Sequence, residues 1–385
     1  MNKTQRIGTY IKKTESGEEF KAYLPKPLPP VPAIMTDKLY PLLDLANAAL
    51  GRLDGMSRML PDLSLFLYMY IRKEAVLSSQ IEGTQSSLSD LLLYEVEDKP
   101  GIPLNEVEEV SHYVAALNYG LERIKEFPLS LRLIREIHLK LMTNARGGNK
   151  QPGEFRTSQN WLGGTRPGNA RFVPPPPENL QDCLDNFEKF LHDDKNHLPI
   201  LVKAALIHVQ FETIHPFLDG NGRLGRLLIT FLLCVEKILK EPMLYLSLYL
   251  KAHRDQYYAH LQNVREKGEW EEWIKFFLTG VIETAEQASE TARSITSLFV
   301  LDGERIKKAG KTASAVSIIY PCFQKRPLLT TSKLKEETDL SLPTILRNLK
   351  ILEEIGIIKE ISGKERNKLF VYEKYLDILN QGTDI

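Results

Sequence analysis

Apolar residues recur at intervals of three and four over most of residues 36–145, a spacing that predicts amphipathic helices. Glycine and proline interrupt the pattern near Gly51–Gly55, Asp98–Pro103 and Phe127–Pro128, where we expect helices to break. The helical spacing resumes after residue 177 and continues through about residue 298. The chain is therefore predicted to be mainly α, a helical bundle.

Two stretches depart from this spacing. Five prolines make residues 24–33 an extended segment, because proline fixes φ and removes a backbone donor. Glycines and a run of four prolines exclude a long helix over residues 150–177. Within that stretch, Phe155–Arg156 and Arg171–Val173 are predicted to be the two arms of a short β-hairpin.

The end of the chain has a different pattern. Thr331–Glu337 and Ser341–Ile355 are predicted as two short helices around a turn, and Ile357–Ile361 and Lys368–Glu373 as strands that follow them. Helix-turn-helix plus hairpin resembles a winged helix. We therefore expect a small, separate C-terminal domain.

A winged helix suggests a nucleic-acid partner, and Thr344, Arg347, Asn348 and Lys350 are predicted on the exposed face of its second helix. Against this, residues 311–385 carry twelve basic and ten acidic side chains, without the basic excess that DNA-binding domains show. The sequence leaves contact with DNA and contact with protein equally open for this domain.

Composition narrows the setting. A length of 385 residues predicts two or three domains, and 50 basic against 50 acidic residues give no global field toward nucleic acid or membrane. The three cysteines, Cys183, Cys234 and Cys322, have neither metal-ligand spacing nor a disulfide framework. With no apolar stretch long enough for a membrane span and no signal-peptide core, we expect a reducing, cytoplasmic protein.

The segment from His215 to Arg226, HPFLDGNGRLGR, carries the candidate chemistry. It precedes an apolar run, Leu227–Leu233, that is predicted to be a buried helix. Glycines before a helix expose backbone N–H groups, and a helix N-terminus favours anions, so the segment indicates a phosphate site. Arg223 and Arg226 are three residues apart and are predicted to face the same anion.

Two further side chains of the segment complete a reactive site. Asp219 would repel a phosphate unless a cation lay between them, and Mg²⁺ held by one carboxylate plus phosphate oxygens satisfies that condition. His215 is of the right type to accept a proton from an incoming hydroxyl. The segment predicts a phosphate site with a base beside it.

The segment has the form HxFx(D/E)GNGRxxR and resembles the active-site motif of the Fic family, with every defined position matched. The resemblance implies a protein adenylyltransferase, an enzyme that transfers AMP from ATP to a Ser, Thr or Tyr hydroxyl of a target protein. Pyrophosphate leaves in this reaction. The implied partners are ATP, Mg²⁺ and a target protein. Modification of the chain itself stays open, as does a homodimer, because family members often dimerise.

The resemblance assigns a role to each matched position. His215 is implied as the base and Asp219 as the Mg²⁺ ligand. The remaining positions are implied to bind or orient the phosphates of ATP: Asn221 at the α-phosphate, the backbone amides of Gly220 and Gly222 near the β-phosphate, Arg223 at the leaving pyrophosphate and Arg226 at the γ-phosphate.

A second pattern lies upstream, where residues 66–83 are predicted as one helix that ends at a glycine. Ser78 and Glu82 are four residues apart and share a face of this helix. A carboxylate at a helix C-terminus is mildly unfavourable and indicates a cationic partner. Ser78–Gly83 also resembles the inhibitory pattern (S/T)xxxE(G/N) of the family, which implies that Glu82 pairs with Arg226 and occupies the place of the γ-phosphate.

Two other features follow from the resemblance. The stretch over residues 152–176 is similar to the hairpin flap that aligns the target segment in Fic proteins. Tyr257 and Tyr258 match a tyrosine pair that borders the adenine in this family, so both are predicted to contact the base.

His208 lies on an apolar helix and is predicted to be a core residue with satisfied hydrogen bonds.

The predicted architecture has four parts: an N-terminal helical segment with the inhibitory helix over residues 1–110, a catalytic core over 111–290, a linker over 291–310 and the winged-helix-like domain over 311–385. The main predicted function is autoinhibited AMP transfer. Three alternatives stay open. The first is transfer of phosphate, UMP or phosphocholine, which other family members carry out and which the intact Asp219, Arg223 and Arg226 disfavour. The others are removal of AMP by a catalytic Glu82, and an ATP-sensing transcriptional regulator that binds DNA through its C-terminal domain.

Overall fold

The structure is a computed structural model of the chain. It describes residues 3–15, 17–57, 60, 62–97, 104–143, 150–193, 195, 197–308 and 313–381.

Helices dominate the described chain, as the apolar spacing predicted. The N-terminal half contains α1 (Tyr40–Ser57), α2 (Leu63–Ile81), α3 (Leu88–Glu97), α4 (Leu104–Arg123), α5 (Leu131–Met142) and α6 (Pro177–Leu191). The C-terminal half contains α7 (Ile200–Ile214), α8 (Asn221–Val235), α9 (Ser247–Ala252), α10 (Arg254–Lys267), α11 (Trp270–Lys308), α12 (Ala313–Lys325), α13 (Thr331–Thr338), α14 (Leu342–Glu354) and α15 (Glu373–Asn380).

Two small antiparallel sheets accompany the helices. Strands β1 (Thr9–Glu15) and β2 (Glu18–Leu24) pair from Thr9 opposite Leu24 to Glu15 opposite Glu18. Strands β3 (Leu328–Thr330), β4 (Lys359–Glu360) and β5 (Leu369–Val371) form a sheet in the order β3-β5-β4.

The N-terminal β1–β2 hairpin was not predicted, because we expected residues 1–110 to be helical. No side chain of β1 is buried, so this strand lacks the alternation of apolar and polar residues that announces a half-buried strand. In β2, Phe20 and Ala22 are buried against Val173. The hairpin therefore becomes stable through contacts made far along the chain.

The predicted hairpin between Phe155–Arg156 and Arg171–Val173 is wrong in its pairing. The described stretch contains an isolated antiparallel bridge between Leu162 and Phe172. The backbone N–H of Arg156 donates to Pro216 O at 2.9 Å, and Val173 O accepts from the N–H of Tyr23 at 2.9 Å. The two predicted arms therefore do not pair with each other: Arg156 bonds to the loop that follows α7, and Arg171–Val173 bonds to Leu162 and to Tyr23 of β2.

Of the three predicted helix breaks, one is confirmed, one is wrong and one lies outside the described residues. The break near Phe127–Pro128 is confirmed between α4 and α5. The break near Gly51–Gly55 is wrong, because α1 runs through both glycines, where helix interiors tolerate glycine at modest cost. The expected break near Asp98–Pro103 lies outside the described residues.

Helix α11 continues to Lys308, past its predicted end near residue 298 and through most of the predicted linker over 291–310. Its last turns carry buried side chains that pack on the C-terminal elements. Ile306 is buried, and buried Asp302 accepts a hydrogen bond from the hydroxyl of Tyr372 at 2.6 Å. Packing with the following elements therefore keeps this segment helical.

The predicted elements of the C-terminal part form. Helices α13 and α14 flank a turn, and β4 and β5 follow them as antiparallel neighbours. Arg347 and Lys350 are exposed as predicted, whereas Asn348 is buried and donates to Thr344 O at 2.6 Å. The prediction for Asn348 was wrong because its position on α14 faces the buried side of the helix.

Helices α7 and α8 form the centre of the molecule. Every residue of α7 from Leu201 to Ile214 is buried, as expected for a helix that is covered on all sides. Helices α2, α4 and α5 contact α8. The short loop between α7 and α8 is therefore held between two helices of the core. Among the helices of the described ranges, none combines the length and apolar content needed to cross a bilayer.

We expect Gly120→Ala to lower the free energy of unfolding by about 1–3 kcal/mol, the usual cost of overpacking a core. A Cβ at Gly120 in α4 would lie 2.3 Å from the ring of buried Phe231 in α8. Urea unfolding measures the change. Gly51→Ala is the matched control, since a Cβ there meets nothing within 4 Å, and stability should rise by about 0.5–1 kcal/mol. Equal effects of both substitutions would contradict the close α4–α8 contact.

Candidate active site

The loop between α7 and α8 carries the candidate chemistry and has unusual backbone conformations at both ends. His215 ends α7 with φ 48°, in the left-handed region, and Gly220 precedes α8 with φ 74°. The side chain of Asn221 closes the loop, because its Oδ1 accepts from Phe217 N and its Nδ2 donates to Phe217 O, both at 2.9 Å. These contacts fix the backbone of the loop that carries His215 and Asp219.

Two side chains from the 150–177 stretch hold the carbonyls of this loop. Buried Arg156 donates from Nε to His215 O at 2.9 Å and contacts Ile214 O at 3.4 Å. Asn160 donates from Nδ2 to the carbonyls of His215 and Phe217 at 3.1 and 3.0 Å. The last carbonyls of a helix lack partners within the helix, so Arg156 and Asn160 complete the end of α7. No sequence pattern indicated this role for Asn160, and the pattern around Arg156 predicted only a hairpin arm.

The hydrogen bond that His215 makes shows which ring nitrogen carries the proton in the neutral imidazole. Its Nδ1 lies 3.3 Å from Glu212 O, and a carbonyl can only accept, so Nδ1 carries the proton. Nε2 then keeps a free lone pair. Burial, together with the nearby cation Arg265, lowers the pKa of His215 to about 3, so the imidazole is neutral at pH 7. A neutral imidazole with a free Nε2 is able to accept a proton.

A buried carboxyl behind His215 was missed by sequence reasoning. Glu212 Oε2 lies 3.9 Å from His215 Nδ1. Burial and the nearby Glu82 raise the pKa of Glu212 to about 7, although Arg226 and Arg265 act in the opposite direction. One turn of α7 thus places an acid against the candidate base, a relation that the i, i+3 spacing alone would have allowed us to notice.

Arg223 contacts acids on two sides. Its Nη1 pairs with Glu109 of α4, and its Nη2 lies 3.6 Å from Asp219 Oδ1. The side chain is only 4 % exposed. Glu109 was not recognised in the sequence. In this state Arg223 and Arg226 contact different acids, so the two guanidinium groups predicted to face one anion are each neutralised separately.

Asp219 is the candidate metal ligand, and its surroundings fit the role. The carboxylate is 41 % exposed, with Oδ1 accepting from Gly220 N at 2.6 Å and Oδ2 3.8 Å from Lys150 Nζ. Within the described ranges no three His, Cys, Asp or Glu residues converge as a metal cage. A single accessible carboxylate beside a phosphate site is the donor set that Mg²⁺ uses when nucleotide phosphates supply other ligands.

Arg226 is buried between α8 and α2. Its Nε donates to Ser78 Oγ, and its Nη2 donates to Ser78 O and to Glu82 Oε1, each at 2.8 Å. Burial alone would lower the pKa of Arg226, but the adjacent Glu82 outweighs it and holds the pKa above its ordinary value. The contact that the sequence predicted between Glu82 and Arg226 is present.

The Glu82 carboxylate lies directly against the first turn of α8. A Cβ at Gly222 would be 2.1 Å from Glu82 Oε1, so only glycine at this position admits the carboxylate. The carboxylate thus occupies the end of α8 where exposed N–H groups favour an anion.

Helix α2 begins at Leu63, three residues before its predicted start, and ends before Gly83, which has φ 104°.

The two tyrosines behave differently. Tyr257 is 1 % exposed, and its hydroxyl lies 2.9 Å from Nε2 of His208. His208 is a satisfied core histidine, as predicted, with Nδ1 3.1 Å from Gly225 O. Tyr257 is therefore buried in the core, and its contact with an adenine base stays a prediction. Tyr258 is half-buried and keeps a partly accessible ring.

Comparison with known proteins agrees with this geometry. Residues 40–122 match the domain described as Fic/DOC family N-terminal, and residues 128–233 match the domain described as Fic/DOC family. The second match includes the whole α7–α8 loop. Two stretches of the chain are therefore similar to Fic/DOC family domains.

Curated relatives align with about half of the chain. The protein adenylyltransferase Fic of Aedes aegypti is 33 % identical over 205 residues, which cover 51 % of this chain and 37 % of that protein. A probable protein adenylyltransferase of Aquifex aeolicus is 27 % identical over 192 residues, covering 49 % of this chain and 56 % of that protein. The chain thus spans between about a third and just over half of the length of these relatives.

Solved structures with the same fold extend further. A Fic family protein from Desulfovibrio desulfuricans G20 has a TM-score of 0.54 at 20 % identity and covers 86 % of this chain and 96 % of its own. A Fic domain containing signaling protein from Bacteroides thetaiotaomicron has a TM-score of 0.52 at 19 % identity, over 65 % of this chain and 97 % of its own. Both establish the fold.

We expect His215 to stay neutral down to about pH 5, because its lowered pKa lies near 3 and the uncharged form persists above that value. Histidine-labelled NMR, with the signal assigned by its loss in His215→Ala, measures the titration. The same signal in urea-unfolded protein serves as the reference with an ordinary midpoint near 6.5. A folded-state midpoint near that of the unfolded chain would contradict the desolvated site.

Proposed function

We propose that this chain is a protein adenylyltransferase that moves AMP from ATP to a hydroxyl of a target protein. The observation that carries the proposal is the α7–α8 loop, which joins a neutral imidazole, an accessible carboxylate and a helix N-terminus. The sequence similarity to adenylyltransferases of other organisms supports the same activity. This loop offers a base, a metal ligand and an anion site within six residues of chain, His215–Gly220.

In the proposed reaction, Nε2 of His215 takes the proton of the attacking hydroxyl. The hydroxyl oxygen bonds to the α-phosphorus of ATP, the bond from that phosphorus to the bridging oxygen breaks, and pyrophosphate leaves. Asp219 would hold Mg²⁺, which when bound neutralises charge on the phosphates. Catalysis then rests mainly on positioning and electrostatics, as in other phosphoryl and nucleotidyl transfers.

The remaining residues of the motif divide between binding and positioning. We assign Arg223 to the leaving pyrophosphate and the amide of Gly222 to phosphate oxygens, as the sequence resemblance implied. The amide of Gly220 donates to Asp219 Oδ1 at 2.6 Å, so it would have to give up that hydrogen bond to reach a phosphate. Asn221 receives a revised role, because both ends of its amide bind the backbone of Phe217 and hold the loop in shape. Of the tyrosine pair, Tyr258 is the better candidate for contact with adenine, since Tyr257 is buried.

We further propose that Glu82 inhibits this reaction. Its carboxylate binds Arg226 at 2.8 Å and fills the anion position above Gly222. A γ-phosphate would need that same guanidinium, whose geometry suits carboxylate and phosphate alike. ATP would then bind with its phosphates displaced from the alignment that transfer requires.

Glu82→Gly should raise AMP transfer about 10- to 100-fold, the factor that corresponds to about 1.5–3 kcal/mol for a charged hydrogen bond that no longer competes. The measurement is incorporation of label from ATP carrying ³²P on the α-phosphate, with Mg²⁺ and host lysate as a source of target. Glu82→Gln is the matched control, because it keeps the side-chain length but removes the charge, and its activity should lie between the two. Unchanged transfer in Glu82→Gly would remove the inhibitory role.

His215→Ala, placed in the Glu82→Gly background, should lower transfer by about 10²–10⁴-fold, the usual contribution of a general base. ATP binding, measured by calorimetry, should persist, because the phosphate-binding groups are unaltered. Full transfer without His215 would place the base elsewhere. Label from γ-³²P-ATP but not from α-³²P-ATP would replace AMP transfer with phosphate transfer.

Two other functions are separated by the same assay. The Glu82 carboxylate is 35 % exposed and within reach of water, which favours AMP removal as a second candidate. Release of AMP from a modified protein, lost in Glu82→Gly, would support it. Exposed Arg347 and Lys350 on α14 keep a DNA-binding regulator as a further candidate. A salt-sensitive, sequence-specific DNA shift by the full chain would support that function.

A further inference from the structure

His138 is a buried histidine of α5 that sequence analysis did not single out. It is 0 % exposed and touches two separate segments of the site. Its Nδ1 accepts from the backbone N–H of Gly153 at 2.9 Å, and its Nε2 lies 3.0 Å from Asp219 O. An N–H must donate and a carbonyl must accept, so the tautomer is fixed, with the proton on Nε2.

The ring of His138 also supports the loop by packing. It stacks on Phe217 with ring centroids 3.7 Å apart and planes inclined by 13°. Phe217 is itself fully buried. Gly220 lies just beyond, where a Cβ would be 3.5 Å from His138 Nε2 and 2.8 Å from Met142 Sδ. Helix α5 thus forms the wall against which residues 217–220 turn.

This contact bears on the Asp219 carboxylate through its backbone. The carboxylate is 41 % exposed, so side-chain packing restricts it little. Its direction depends on where the peptide between Asp219 and Gly220 points, and the Asp219 carbonyl belongs to that peptide. Gly220 has φ 74°, a conformation that glycine adopts without a steric penalty, so steric repulsion alone does not hold this peptide in one orientation. The N–H of this peptide binds Asp219 Oδ1 at 2.6 Å, which links the direction of the carboxylate to the peptide, and the hydrogen bond from His138 to the Asp219 carbonyl holds the peptide from outside the loop.

Resting on the proposed function, we propose that His138 is a positioning residue that acts through the Asp219 carbonyl to aim the metal-binding carboxylate at the phosphates. It does so as a neutral donor and needs no change of protonation. Through Gly153 it also ties the 150–177 stretch to the same loop. Groups that orient metal ligands in this way typically change metal affinity or activity by about 10- to 100-fold when removed.

Two substitutions separate the two hydrogen bonds of the ring. The amide of Asn reaches as far from Cβ as Nδ1 does, so His138→Asn keeps an acceptor for Gly153 N–H and loses the donor to Asp219. The amide of Gln reaches as far as Nε2, so His138→Gln keeps the donor to Asp219 and loses the acceptor for Gly153. Each variant loses one hydrogen bond and the ring stack, so a purely structural role predicts similar losses of thermal stability and of function in both.

Both variants are made in the Glu82→Gly chain, and His192→Asn, at an exposed histidine, is the control for the substitution itself. The first readout is binding of Mn²⁺ in the presence of α,β-methylene-ATP, followed by electron paramagnetic resonance. The second is α-label transfer as a function of Mg²⁺. We expect His138→Asn to raise the half-saturating metal concentration about tenfold or more and to lower kcat, while His138→Gln stays within about threefold of the parent.

Equal metal saturation in the two His138 variants, at similar melting temperatures, would overturn the positioning role and leave His138 a packing residue. The same conclusion would follow if His138→Gln were the weaker metal binder. If the Glu82→Gly parent itself transfers no label, the proposed function fails. The Mn²⁺ measurement still decides whether His138 positions Asp219, because it requires no turnover.

Discussion

The buried guanidinium of Arg226 is the constraint on which the arrangement of this protein depends. A charge that is removed from water needs several hydrogen-bonding partners, because burying it without them is unfavourable. Ser78 and Glu82 of α2 supply three acceptors at 2.8 Å. Helix α2 is therefore fixed against α8, and any ligand that binds this guanidinium must compete with an internal acid.

Helix α2 also joins the site to the C-terminal elements. Buried Lys73 donates to Gln381 O at 2.9 Å, and Arg326 donates to the hydroxyl of Tyr68 at 3.2 Å. Burial lowers the pKa of Lys73 to about 8, because the closely packed ammonium group is removed from water. The helix that ends at Glu82 is thus held at one end by the candidate active site and along its length by elements after α11.

The loop between α7 and α8 begins where the last backbone carbonyls of a helix need hydrogen-bond partners from elsewhere. Carbonyls at the end of α7 have no partner in their own helix. Arg156, Asn160 and His138 bind these and the following carbonyls from two other parts of the chain. His215 and Asp219 are therefore carried by a short loop in which nearly every backbone carbonyl accepts a hydrogen bond. A backbone fixed in this way is the preorganisation that the proposed AMP transfer would require.

The sequence alone determined the features that depend on the spacing of residues along a single helix or loop. The glycines and arginines of residues 220–226 predicted an anion site, the i, i+4 pair Ser78 and Glu82 predicted a cationic partner, and apolar periodicity predicted the helices. Only the tertiary structure decided which distant groups meet these residues: Glu109 beside Arg223, Glu212 behind His215, and His138 beneath Asp219. It also placed Tyr257 in the core and paired β1 with β2. Spacing along a helix fixes which side chains share a face, whereas partners across the core depend on how helices pack, and no local pattern encodes that.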